Sequence, residues 1–132
     1  SYLGEGNWKY VANKSGGFMG FWTFKQTVDD IAIYLLLEQD KVCFKVSVPS
    51  SKGYSKIRNE LYKLFKSEAS KFDLKVTKPK RFGSGKDMTF AVLDTDIFDG
   101  ENFIDIQQVN RLMDEVQKFI NHTISQYKNK NE

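Results

Sequence analysis

The chain has 132 residues and a mass of 15.3 kDa, with 40% hydrophobic residues, 28% charged residues and a formal net charge of +3. This is globular composition, sufficient for one core and too short for two, so a disordered chain and a two-domain chain are both excluded. A single cysteine, Cys43, forbids an internal disulfide, and no apolar run approaches the roughly 20 residues of a membrane span. A cytoplasmic protein follows from these absences.

In chain order, the first half reads as strands. Trp8, Tyr10 and Ala12 alternate with Lys9, Val11 and Asn13, and Lys14-Ser15-Gly16-Gly17 supplies a turn. Phe18 to Lys25 is a second strand and Ala32 to Glu38 a third. Glu38-Gln39-Asp40-Lys41 turns the third into a fourth, Val42 to Val48. There Val42, Phe44, Val46 and Val48 share one face, and Cys43, Lys45 and Ser47 the other. Strict alternation buries one face and leaves the other more polar. An antiparallel meander results.

After Pro49 the period lengthens. Ile57, Leu61, Leu64, Phe65 and Phe72 form one stripe of a helix over about 52–71. A short strand at 74–77, a loop at 78–86 and a strand at 88–93 follow. The last element is a helix over about 106–126. Its stripe is Ile106, Val109, Leu112, Met113, Val116, Phe119, Ile120 and Ile124, with Asp105 as N-cap and Gln108 closing a capping box. The order ββββαββα is that of one α+β domain, residues 1–128, with helices packed on an antiparallel sheet. Residues 129–132 read as a frayed tail.

The densest aromatic run, Phe18-Met19-Gly20-Phe21-Trp22-Thr23-Phe24, resembles the stacking strand of RNA-recognition domains. Met19 breaks the spacing and the element order differs, so Phe18, Trp22 and Phe24, which share one face, are assigned to the core with Trp8, and Phe21 takes the other face. The loop Asp94 to Gly100 has acids near calcium-loop spacing, but Phe98 fills a ligand position and the glycine sits one place late. A metal-dependent nuclease would need carboxylates and a lysine in register. Asp29, Asp30, Glu38 and Asp40 are the nearest approach, and no acid stands at position 39 or 43 to serve Lys41 or Lys45. His122 has no nucleophile at a recognisable spacing. Neither a catalytic residue, a metal site nor a cofactor is expected.

Charge is more informative. Residues 49–86 hold eleven Lys/Arg and three acids, net +8, whereas residues 87–116 hold eight acids and one Arg, net −7. Lys78, Lys80, Arg81 and Lys86 crowd one loop, and the helix before it adds Lys56 and Lys63. A basic, turn-rich loop suits sequence-independent phosphate contact, so DNA or RNA backbone is the expected partner. The competing reading pairs the basic and acidic segments, within the chain or between copies, as an interaction or dimerisation module.

Three segments, NKSGGFMGFW (13–22), IYLLLEQDKVCFKV (33–46) and KPKRFGSGKDMT (78–89), resemble the C-terminal region of bacterial PD-(D/E)XK nuclease superfamily proteins. In those proteins the metal-binding carboxylates and lysine precede this region, so no catalytic residue carries over. The resemblance implies a non-catalytic accessory domain, a fragment of a longer bacterial protein, that helps an attached nuclease domain engage its substrate or partner in defence or DNA metabolism.

Overall fold

The computed structural model describes residues 6–11, 18–38, 41–49, 53–82, 85–96 and 106–130; for 6–11, 18–24, 37, 38 and 106 it describes the backbone alone. Its strands are β1 (Gly6–Val11), β2 (Phe18–Val28), β3 (Ile31–Glu38), β4 (Lys41–Ser47), β5 (Val76–Thr77) and β6 (Asp87–Leu93). Its helices are α1 (Tyr54–Ala69) and α2 (Ile106–Lys130), and one 3₁₀ turn, Ser70–Phe72, extends α1. The expected α+β order, ββββαββα, is the order found.

All strands join one antiparallel sheet in the order β1-β2-β3-β4-β6-β5. The first four make the meander that alternation predicts. The chain then crosses through α1 to the far edge, forms β5, and returns as β6 between β5 and β4. Two sequence features permit the sharp connections. Asp29 takes a left-handed conformation (φ 54°) in the two-residue turn between Val28 and Ile31, and Gly53 takes one (φ 68°) immediately before α1. The second position suits glycine, which has no Cβ to clash there.

Both helices pack on the face carrying Ile33, Leu35, Val42, Phe44 and Val46, all buried. One ring from each layer meets at the centre. Phe44 of β4 lies 5.4 Å from Phe65 of α1 and 5.8 Å from Phe119 of α2, between ring centroids. Phe65 lies 4.9 Å from Phe90 of β6 and 5.3 Å from Phe119, both edge-on. Edge-to-face contacts of this kind add about 0.5–1.5 kcal/mol each beyond the area they bury. A register shift makes room for the fourth ring: Lys45 faces Thr89 and Phe44 faces Ala91, so Phe90 is an extra residue in β6. Phe90 and Ala91 are consequently both buried.

Some boundaries differ from expectation. The C-terminal helix continues to Lys130, through the start of the expected frayed tail. Lys128 and Lys130 lie in its last turn, where cations favour the helix dipole. The side chains of Trp8, Phe18, Trp22 and Phe24, assigned to the core from sequence, lie outside the described residues, as does the Asp105 cap. No described helix is long and apolar enough to cross a membrane.

Candidate nucleic-acid interface

Between Thr77 and Asp87 the chain makes a nine-residue excursion that carries four of the predicted basic residues. Thr77 faces Val92 across the hairpin, whereas the loop re-enters the sheet at Asp87. The connection must therefore travel about five residues, roughly 17 Å, along the edge of β6. It is held at three places. Lys75, before β5, accepts a hydrogen bond from the Asp94 N–H at 2.8 Å and pairs its ammonium with that carboxylate at 3.4 Å. The Lys86 carbonyl accepts from the Val48 N–H at 2.8 Å. In the middle, Phe82 turns onto α1.

Phe82 meets Tyr62 edge-on at 5.8 Å. Arg58, Tyr62 and Lys66 recur every four residues and so form one stripe of α1. That stripe and the loop interleave cations with rings. The Arg58 guanidinium carbon stands 4.4 Å over the Phe82 ring, and its Nε donates to Asn59 Oδ1 at 3.2 Å. Lys78 Nζ lies 5.6 Å from the Tyr62 ring and 5.9 Å from the Phe82 ring, and Lys66 Nζ lies 5.8 Å from Tyr62. Ring quadrupoles offset part of the repulsion between three cations held this close.

The structure thus brings Lys78 together with Arg58 and Lys66. Lys80 and Arg81 are exposed in the same loop, and Lys86 is exposed at its end. Lys56 and Lys63 are exposed too, but they lie about 100–120° around the axis from Tyr62, on the outward face of α1. Of the cations on α1, Arg58 meets the loop at Phe82 and Lys66 lies over Tyr62, while Lys56 and Lys63 lie apart from that array. Among the described residues, no carboxylate lies within ion-pair distance of Lys56, Lys63, Lys66, Lys78, Lys80, Arg81 or Lys86. The described bridge that joins the basic and acidic segments is Lys75–Asp94.

The start of α1 breaks a local rule. Its first turn has no acidic residue and no side-chain cap, and it carries Lys56 where the helix dipole favours an anion. Violations of this sort collect where function outweighs stability.

The carboxylates of a would-be nuclease are not gathered. Asp29 and Asp30 sit at one end of β3 and Glu38 at the other, roughly 25 Å of strand apart; Asp40 lies outside the described residues. Lys45 donates to Thr89 Oγ1 across the sheet at 2.9 Å. Cys43 is buried on the face away from the helices. Asp94, the first acid of the calcium-like loop, pairs with Lys75, and residues 97–100 of that loop lie outside the described set. Among the described residues no three His, Cys, Asp or Glu side chains are grouped to hold a metal ion. His122 does find a partner: its Nε2 lies 3.2 Å from Glu68 Oε2, and its ring lies 5.3 Å from Phe72.

No family model matches this chain, and no curated protein or solved structure does either. The geometry of the basic surface therefore carries the functional reading.

Proposed function

We propose that this chain is a non-catalytic accessory domain of a bacterial nuclease-like protein, and that it holds nucleic acid by its phosphates. The observation that carries this reading is the array in which Arg58, Lys66 and Lys78 are set on Tyr62 and Phe82, beside the exposed Lys80, Arg81 and Lys86. Cations held in place by packing lose less freedom on meeting a polyanion than cations on mobile stems. A guanidinium beside an aromatic ring keeps its charge and its planar set of donors, a chemistry that suits phosphate oxygens. The resemblance of residues 13–22, 33–46 and 78–89 to the C-terminal region of PD-(D/E)XK proteins agrees with an attached nuclease as the source of catalysis.

The test is a salt titration by fluorescence anisotropy on labelled DNA duplex. Each neutralised phosphate contributes a slope of about −0.9 to log affinity against log salt, so contacts from Lys78, Lys80, Arg81 and Lys86 give roughly −3 to −4. Reversing those four residues to Glu flattens the slope and weakens binding without unfolding the sheet. Superimposable curves for wild type and variant would remove the proposal. The protein alone leaves DNA and RNA intact in Mg²⁺ or Mn²⁺; cleavage abolished by Asp30→Ala with Glu38→Ala would contradict the non-catalytic part.

A further inference from the structure

The same surface contains two aromatic side chains, and rings near basic residues commonly stack on bases. Here they are already engaged. Tyr62 is only 7% exposed, with Phe82 packed nearly perpendicular to it and the ammonium groups of Lys66 and Lys78 near its ring. Phe82 packs on the core and has the Arg58 guanidinium 4.4 Å above it. A base that stacked on the Phe82 face beneath Arg58 would displace the guanidinium, exchanging a cation for a neutral ring. Lys66, Lys78, Lys80 and Arg81 are exposed here, whereas Tyr62 is buried and Phe82 half-buried.

We infer, resting on the nucleic-acid reading above, that the surface engages the repeating phosphates of a nucleic acid strand and is indifferent to its bases, with Phe82 acting as a positioning residue for Arg58 and Lys78. Inorganic polyphosphate presents the same chemistry, so the test must separate the two sources.

Anisotropy at low salt would use a mixed-sequence single strand of about 15 nucleotides, an abasic strand of equal length, and inorganic polyphosphate as competitor. Wild type, Phe82→Leu and Phe82→Tyr are compared, with thermal unfolding confirming that each is folded. The abasic strand is expected to bind within about threefold of the normal one, since stacking on a protein ring would contribute about five- to a hundred-fold per base. Phe82→Leu should weaken both strands by the same factor, Phe82→Tyr should restore both, and polyphosphate should compete.

Two results would overturn this inference while leaving nucleic-acid binding intact: an abasic strand weaker by about fivefold or more, or a Phe82→Leu loss confined to the normal strand. Binding of polyphosphate with no binding of either strand would remove both readings and leave free polyphosphate as the ligand. Absence of any binding would remove both as well.

Discussion

Glu68 and His122 lie 54 positions apart in the chain, yet one 3.2 Å contact between Oε2 and Nε2 joins α1 to α2. Lys71 Nζ approaches the same carboxylate oxygen at 2.7 Å. The hydrogen bond from Lys71 is the largest influence and holds the Glu68 carboxyl below the usual carboxylate range; burial opposes it, and the His122 hydrogen bond and both nearby charges add to the lowering.

A carboxyl depressed by folding stabilises the protein fully above its unfolded value, about 4.3 for Glu, and loses that contribution as the pH falls through the lower folded value. Glu68→Gln should therefore cost about 0.5–1 kcal/mol at neutral pH, discounted because Lys71 is largely exposed. Urea midpoints of wild type and variant should converge in strong acid. A gap equally wide at pH 7 and well below the carboxylate range would mean that ionisation of Glu68 contributes nothing.

Phe65 touches Phe44, Phe90 and Phe119 and has no accessible surface. Phe65→Ala should cost about 3–5 kcal/mol, because the three other rings cannot close the space it leaves. Phe72, which is half-buried against Phe119, should cost less on the same change. Chemical denaturation checks the order, and equal losses would show that the core is centred elsewhere.

Lys56 at the start of α1 predicts a trade. Lys56→Glu places an anion in the first helical turn and should stabilise the fold by about 0.3–1 kcal/mol. If the outward face of α1 takes part in binding, the same change weakens affinity for DNA. Thermal unfolding and anisotropy on one variant read both quantities; a lower melting temperature would contradict the dipole argument.

Thr123 is fully buried on α2, and among the described residues its Oγ1 has no hydrogen-bond partner. Thr123→Val replaces that hydroxyl by a methyl group of similar shape, so the cost of an unmet buried donor is removed. A gain of about 1 kcal/mol is expected. A loss of similar size in denaturant unfolding would show that the hydroxyl has a partner in solution.

Sequence periodicity exposed most of this architecture, since alternation in β4 and the i, i+3, i+4 stripes of both helices follow directly from which faces are buried. Register was hidden. Nothing in Asp87–Leu93 marks Phe90 as an inserted residue, because a bulge depends on how two strands pair. The basic loop was legible as composition, but its neighbours on the helix were not. Tyr62 falls beside the apolar stripe of Leu61 and Phe65, and Phe82 stands alone among the charges of its loop, with no periodicity to mark its partner. The spacing of Arg58, Tyr62 and Lys66 was the available signal, together with Phe82 beside Arg81. What joins them is tertiary: the loop has to run back along β6, and that path crosses this stripe.

The brevity of β5 has a consequence for behaviour at high concentration. Two residues pair with the end of β6, and among the described residues no strand pairs with Asp87–Ala91 on that side. An open edge of this length is a template on which a second copy could add a strand and begin aggregation. Lys78, Pro79, Lys80 and Arg81 leave the sheet at this margin and Lys86 rejoins it there, and charge and proline are the residue types that discourage such pairing. Shortening the loop to a tight hairpin would remove more than a binding surface: it would strip the margin of the sheet of its charges and proline, and the shortened protein should self-associate more readily than the intact one.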